Sequence, residues 1–230
     1  MQTATAGQSG RPRPSGLQQR KRQLTIDALI RAAQQAMCEH GLDVTVDVIA
    51  AIAEVDRRTV FRHFPTREDI MNAAVVTMYD DYLRSTPQYT GQDWQGWLAE
   101  VARWSHHTFA RVRRLQWDIQ TRRLPPRMAA VYAKQSQGRQ DTFTMIAATL
   151  WQAAGGRGDT PELLRQTVNA LLSGLFTQAV LRDAEGTADL AVELSTTAIV
   201  STMSRLLAAP ATTSSRSPCR HESPSDGDAE

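Results

Sequence analysis

The side chains best suited to bind a partner are concentrated in residues 56–67, DRRTVFRHFPTR. Arginine can bind a guanine edge through two parallel hydrogen bonds, and arginine, threonine and histidine can all donate to phosphate oxygens. Val60 and Phe64 are four residues apart, so a helix here would bury one face. The face left outward carries Arg57, Arg58, Thr59, Arg62 and His63. A short helix of this kind is suited to lie in the major groove of DNA.

A second short helix is predicted immediately before the cationic one. The Thr45 hydroxyl can cap this helix, and the Asp56 carboxylate can cap the cationic helix. The apolar residues at helical spacing are Val46, Ile49, Ala50 and Ala53 in the first helix, and Val55, Val60 and Phe64 in the second. Residues 45–65 are therefore predicted to form a helix-turn-helix.

This segment resembles the helix-turn-helix of the tetracycline-repressor (TetR) family of bacterial transcription regulators. The matching positions are Thr45, Val46, Ile49, Ala50, Ala53, Val55, Thr59, Val60, Phe61, Phe64, Thr66, Arg67 and Glu68. Two positions depart from the family pattern. Asp56 replaces the usual capping serine, and aspartate caps a helix as well as serine does. Glu54 replaces the usual turn glycine, and because a positive φ costs other residues about 1 kcal/mol or more, a slightly altered turn is expected.

The resemblance implies an all-α homodimer that regulates transcription, more often as a repressor than as an activator. It would bind a roughly palindromic operator in double-stranded DNA and be released by a small apolar or aromatic effector. Arg57 and Arg58 are expected to bind base edges. The other expected DNA-binding residues are Thr45, Thr59, His63 and Arg67 on phosphates, Phe61 packed against the sugar–phosphate backbone, and Arg62.

Basic residues are also concentrated at the start of the chain. Residues 1–22 contain five basic residues and no acid, in a context rich in Gly, Pro, Ser, Gln and Thr. This composition predicts a disordered basic arm. The arm either reaches along the DNA backbone or into the minor groove, or affects solubility alone. Thr25 is expected to cap the first helix, which runs to about His40 and is ended by Gly41.

Helical spacing continues through the rest of the chain, and strand signals are missing. Thr66 and Asp69 form a near-match to a capping box and open a helix to about Leu83, with Arg67 in its first turn, either on a DNA phosphate or paired with Glu68 or Asp69. Further helices are expected at about 93–113, 127–154, 160–182 and 188–207. The predicted domains are a basic arm (1–22), a three-helix DNA-binding domain (23–70), a helical effector and dimer domain (71–208) and a disordered tail (209–230).

The helices at about 160–182 and 188–207 carry more apolar surface than one monomer easily covers. They are expected to pair with their copies in a two-fold dimer, the alternative being an ordinary core pair. Tryptophans and other large apolar residues between 94 and 151 either line an effector cavity or are plain core. The candidate lining residues are Trp97, Trp104, Trp117, Phe143 and Trp151, with His107 and Gln120 as polar anchors.

Composition limits the remaining classes of function. The net charge of +2 excludes a generally basic coat protein, and the 41% apolar content is enough for a real core. Two cysteines, no apolar run of membrane length and no signal peptide suggest a soluble cytoplasmic protein. No catalytic motif occurs, and His106 and His107 would point about 100° apart on a helix, so no enzyme activity, metal or cofactor is expected.

Two alternatives to an effector-controlled regulator remain at this point. One is a helical small-molecule-binding protein or enzyme that retains a degenerate helix-turn-helix. The other is a regulator without an effector, in which the tryptophans belong only to the core.

Overall fold

The computed structural model describes residues 16–209, which fold into ten α-helices without a strand. The helices are α1 (Gly16–His40), α2 (Val46–Ile52), α3 (Arg57–His63), α4 (Arg67–Arg84), α5 (Trp94–Arg111), α6 (Arg113–Thr121), α7 (Pro126–Ala153), α8 (Glu162–Leu171), α9 (Gly174–Gln178) and α10 (Ala188–Ala208). A 3₁₀ turn (Gly41–Asp43) follows α1, and a π-helical turn (Ala179–Asp183) follows α9. The all-α prediction is confirmed. Within the described part, no helix is both long enough and apolar enough to cross a membrane.

The first helix begins earlier than the sequence analysis expected. Residues 16–22 belong to α1, so the prediction of a disordered arm is wrong for them, and residues 1–15 lie outside the described range. Thr25 does not cap the helix, because its hydroxyl donates to the carbonyl of Lys21 one turn earlier. Every residue from Leu17 to Leu24 is a Leu, Gln, Arg or Lys, and all four have high helix propensity. Gly41 ends α1 as predicted, with a φ of 63°.

Helices α1 to α4 close around one hydrophobic cluster. Leu29, Met37, Ile49 and Ile70 are fully buried in it, and α6 and the start of α7 also contribute to it. Thr66 accepts a hydrogen bond from the Asp69 amide and Asp69 accepts one from the Thr66 amide, so the predicted capping box at the start of α4 is confirmed. The predicted boundary near residue 70 therefore falls at the start of a helix that belongs to this cluster.

A second cluster joins α5, α7, α8 and α10. The helix predicted at 160–182 is interrupted, because α8 ends at Leu171 and the Ser173 hydroxyl caps a new helix by accepting from the Phe176 amide at 3.1 Å. Serine competes for local backbone groups in this way and favours helix starts. The segment around Trp117 and Ile119, which lies outside the helices expected from the sequence, forms the complete helix α6. Of the predicted tail, only residue 209 lies within the described range.

Candidate nucleic-acid interface

The helix-turn-helix forms where the sequence analysis predicted it. Thr45 caps α2 by accepting a hydrogen bond from the Val48 amide at 3.3 Å. Glu54 has a φ of 53°, and the turn is closed by a hydrogen bond from its amide to the Ala51 carbonyl and by one from the Val55 amide to the Ala50 carbonyl. Glu54 thus adopts the positive φ of a turn residue, and the turn is retained.

Asp56 occupies the capping position of α3, but its carboxylate makes no capping hydrogen bond. The Thr59 amide instead donates to the main-chain carbonyl of Asp56, at 2.8 Å. The prediction that the Asp56 carboxylate caps α3 is therefore wrong, although the helix begins at the expected residue.

The two faces of α3 differ as the spacing predicted. Val60 and Phe64 are buried against the α1–α4 cluster. Thr59 and His63 are half-buried, which leaves less of their surface for a partner than the sequence analysis assumed. The exposed residues of the helix are Arg57, Arg58, Phe61 and Arg62.

Arg57 and Arg58 are neighbours with different surroundings. The Arg57 guanidinium donates to both carboxylate oxygens of Asp47 in α2, at 3.0 and 3.2 Å, and lies 5.4 Å from the centre of the Phe61 ring. An exposed ion pair of this kind contributes little stability, but it restricts the orientation of the side chain. Arg58 forms no ion pair with any residue that the structure describes. It is the freer of the two arginines to reach a base.

In the structure Arg67 contacts the main chain of a neighbouring loop and forms no ion pair with Glu68 or Asp69. Its guanidinium donates to the main-chain carbonyl of Val44 at 2.6 Å and to that of Leu42. These two carbonyls belong to the loop between α1 and α2. Arg67 therefore fixes the loop that leads into the helix-turn-helix, an arrangement that sequence reasoning missed because both acceptors are main-chain atoms.

The first turns of α1 add basic side chains beside α3. Lys21, Arg22 and Thr25 line a recess of about 440 Å³ together with Arg62 and His63. Burial lowers the pKa of His63, and the nearby charges of Arg62 and Arg22 lower it further. The recess is thus cationic through its arginines and lysine. The signal for this arrangement was the unbroken run of helix-forming residues from Leu17 to Leu24.

The seven residues proposed to line an effector cavity are dispersed. The Trp97 indole donates to the Pro87 carbonyl, and Trp104 stacks on Tyr82 with ring centroids 4.1 Å apart. Arg182 covers the Trp117 ring at 3.9 Å, and His107 contacts Asp189 at 2.9 Å. The other three are Phe143 and Trp151, buried in the second cluster, and Gln120, half-buried in α6.

A small apolar cavity lies elsewhere, between α4, α5 and α6. Its volume is about 50 Å³, and none of the seven residues lines it. Its walls are Val75, Met78, Tyr79, Tyr82, Thr108, Phe109, Val112, Leu115, Gln116 and Ile119. Burial raises the pKa of Tyr79 and of Tyr82, so both phenols are neutral. The i, i+3, i+4, i+7 spacing of Val75, Met78, Tyr79 and Tyr82 was the available sequence signal for the α4 wall.

The two adjacent histidines of α5 point apart, as expected. His106 is fully buried, with one ring nitrogen 2.8 Å from the Thr177 hydroxyl and the other 3.0 Å from the Ser195 hydroxyl. His107 is exposed. In residues 16–209 no three His, Cys, Asp or Glu side chains group closely enough to hold a metal ion.

Comparison with known proteins identifies relatives of the helix-turn-helix segment. Residues 29–74 match the model for bacterial regulatory proteins of the tetR family. A curated relative, the HTH-type transcriptional regulator TcmR of Streptomyces glaucescens, is 35% identical over 83 residues. That match spans 36% of this chain and 37% of the relative.

Solved structures share the fold over most of the chain. The transcriptional regulator FadR of Bacillus subtilis, in complex with stearoyl-CoA, superposes with a TM-score of 0.57 at 18% identity, covering 76% of this chain and 97% of that one. A candidate transcriptional regulator of Saccharomonospora viridis, in complex with choline, gives a TM-score of 0.60 at 18% identity, covering 77% of this chain and 96% of the other. The helix-turn-helix segment thus resembles that of tetR-family bacterial regulatory proteins over residues 29–74, and the chain as a whole shares the fold of these solved regulators.

Proposed function

We propose that this protein is a DNA-binding transcriptional regulator that binds its operator through α3 and is controlled by a small-molecule effector. The observation that carries the proposal is the exposed cationic face of α3, flanked by Lys21 and Arg22 of α1. A helix of two turns with one buried and one cationic face fits the major groove.

The surroundings of each side chain suggest a division of roles. Arg58 reads a base edge, and Arg57 reads a second one in the direction set by Asp47. Lys21, Arg22 and Arg62 bind phosphates on either side of the groove, with Thr45, Thr59 and His63 as secondary contacts. Phe61 packs against the sugar–phosphate backbone. Arg67 supports these contacts by fixing the loop before α2.

The operator in this proposal is a near-palindrome read by a homodimer. Two copies of α3 related by a two-fold axis require half-sites about one helical turn or more apart. Supporting the dimer, large apolar side chains of α8, α9 and α10 stand in solvent: Leu163, Leu175, Leu194 and Leu207. We further propose α1 to α4 as the DNA-binding domain and α5 to α10 as the dimer domain, with the effector cavity where the two meet.

The effector site in this proposal is the cavity between α4, α5 and α6. Helix α4 lines it with Val75 and Tyr82 and also contacts the loop before α2 through Arg67 in its first turn. A ligand that widens the cavity shifts α4 and with it the loop before α2. The effect on operator affinity is limited to the ligand's preference between the two states, typically about 1–3 kcal/mol. The ligand-bound FadR and S. viridis structures support control by a small molecule.

We infer that the protein acts by binding and not by catalysis. The two histidines most available for chemistry are engaged in packing and surface contacts: His106 with two hydroxyls and His107 with Asp189.

Binding to DNA tests the proposal. The DNA immediately upstream of the protein's own gene is titrated by fluorescence anisotropy at two salt concentrations, beside an unrelated fragment of equal length. The wild type is expected to bind the upstream fragment selectively and with strong salt dependence. The Arg57→Ala/Arg58→Ala variant is expected to lose that selectivity.

The matched control is Arg103→Ala, which removes an exposed arginine of α5 remote in sequence from the helix-turn-helix. It is expected to bind as the wild type does. Salt-independent binding, or equal loss of binding in the control, would contradict the proposal.

A further inference from the structure

Four arginines surround a recess on the side of the molecule where α1 ends and α6 begins. Arg111, Arg113, Arg114 and Arg182 line it together with Trp117, and its volume is about 680 Å³. The remaining walls are Cys38, Glu39, Gln178 and Leu181. The Trp117 ring is 37% exposed in this recess, although tryptophan usually buries most of its surface. We call these residues the arginine groove.

The charge of the arginine groove is mostly unbalanced. Glu39 is its one lining carboxylate, and it lies 3.8 Å from His40. Arg114 has Asp43 and Asp118 as partners, each at 3.8 Å. Within residues 16–209, Arg111, Arg113 and Arg182 form no ion pair. Clustered guanidinium groups without carboxylate partners attract an anion and can bind its oxygens through paired hydrogen bonds.

A third recess lies between the arginine groove and the apolar cavity and shares lining residues with both. That recess shares Cys38, Glu39 and Arg111 with the groove. It shares Met78, Tyr82, Thr108 and Val112 with the cavity. The three recesses therefore adjoin along shared walls between a cationic surface and an apolar interior, with the sequence neighbours Arg111 and Val112 both lining the third recess.

We propose that the arginine groove and the apolar cavity form one site for an amphipathic organic anion. The carboxylate or phosphate head binds Arg111, Arg113 and Arg182, and the apolar body passes Thr108 and Val112 toward the cavity. This inference rests on the effector site of the proposed function and specifies the chemical class of the ligand. An uncharged analogue of the same size leaves the arginines without a partner and binds more weakly.

The position of the head group connects the site to the DNA-binding helices. Cys38 and Glu39 belong to the last turn of α1, and the Leu42 amide just beyond them donates to Asp118 of α6 at 2.8 Å. The Leu42 carbonyl in turn accepts from Arg67. An anion held by Arg113 at the start of α6 therefore acts next to the loop that positions the helix-turn-helix.

The test is calorimetric titration of the full-length protein, without DNA, with octanoate, octyl phosphate and octanol. At least one of the two anions is expected to bind about tenfold or more tightly than octanol. Whether the carboxylate or the phosphate binds better identifies the head group. The Arg113→Gln/Arg182→Gln variant is expected to lose about tenfold in affinity for that anion while its affinity for octanol stays unchanged. Both arginines are exposed, so the variant should fold.

The control is Arg103→Gln, an exposed arginine of α5 that lines neither the groove nor the cavity. It lowers the net charge without touching the site and is expected to bind the anion as the wild type does. Three results would overturn the inference: no binding of either anion, equal binding of anion and alcohol, or equal loss in both variants. Operator binding of the ligand-free wild type, measured separately, reports on the proposed function independently of these results.

Discussion

Arg58 is the side chain of α3 with most freedom to contact a base. It is exposed and forms no ion pair with any described residue, whereas Arg57 is held by Asp47. Arg58→Ala is expected to cost about 1–3 kcal/mol on the operator and to relax the choice of base at one position, with no effect on stability. Affinities for operators substituted one base pair at a time provide the measurement. Unchanged base preference would contradict base readout by Arg58.

Substitution of Arg67 distinguishes a structural role in the loop before α2 from a contact to a DNA phosphate. Its hydrogen bonds to the carbonyls of Leu42 and Val44 predict that Arg67→Ala lowers the free energy of unfolding by about 1–2 kcal/mol. Operator affinity should fall without a change in its salt dependence, because no phosphate contact is lost. Urea unfolding and DNA titrations at several salt concentrations measure the two effects. A normal stability together with a salt slope reduced by about one would assign Arg67 to a phosphate instead.

The buried His106 predicts how stability depends on pH. Burial lowers its pKa to about 4, from an ordinary value of 6.5, and the neighbouring His107 adds to the effect. Between these values the unfolded chain binds a proton that the folded protein excludes. The contribution of His106 to the free energy of unfolding is therefore complete above pH 6.5 and is lost as the pH falls toward 4, by on the order of 3 kcal/mol.

Urea unfolding of the wild type and of His106→Gln at about pH 7 and about pH 5 tests this expectation. The variant is less stable at neutral pH, because Thr177 and Ser195 lose a partner, but it should lose less stability on acidification. His40→Gln, at an exposed histidine, should retain the pH dependence of the wild type. Equal pH dependence in all three proteins would show that His106 is not the titrating group.

The extension of α1 to Gly16 changes what its basic residues can do. A helix places Lys21 and Arg22 at fixed positions beside Arg62 and His63, which a disordered arm could not. Lys21→Ala/Arg22→Ala is expected to weaken binding to all DNA sequences similarly and to reduce the salt slope by about two. Titrations of operator and unrelated DNA over a range of salt concentrations measure this. Arg31→Ala, on the same helix, is the control, and a loss confined to the operator would point to base readout instead.

The helix-turn-helix could be predicted from sequence because its signals are local. Thr45, Gly41 and the Thr66–Asp69 pair act within one turn of their own positions, and each was found in its expected role. The apolar cavity could not be predicted, because it is a gap between α4 and α5–α6 whose existence depends on how distant segments pack. Large residue size identified the tryptophans but does not distinguish core from cavity lining. Trp104, stacked on Tyr82, is an example.

In the proposed function, control of DNA binding requires that the apolar cavity and α3 move together. Asp118, almost fully buried in α6, accepts the Leu42 amide at 2.8 Å and lies 3.3 Å from Arg122. Gly41 must stay free of a side chain, since a Cβ there would stand 2.0 Å from the Asp118 carboxylate. The end of α1 is thus fixed against α6 on one side and, through Arg67, against α4 on the other.

The outer surface of α8 and α10 has the features of a surface that pairs with a second copy of the chain. No charged residue occurs from Leu194 to Ser204, and the exposed positions Thr197, Ser201 and Ser204 repeat at helical spacing on α10. Leu163 stands exposed on α8. An uncharged face of small residues lets a second helix approach closely and bury the leucines beside it.

The homodimer is therefore expected to depend on Leu163 and Leu194. Leu163→Glu/Leu194→Glu places like charges on both copies of the interface, so the variant should sediment as a monomer while the wild type sediments as a dimer. Because both leucines are exposed in the single chain, its circular dichroism should be unchanged. Operator affinity should fall steeply and weak binding to unrelated DNA should persist, since each α3 remains intact. Met145→Glu, at an exposed methionine of α7, should stay dimeric. A dimeric double variant would place the interface elsewhere.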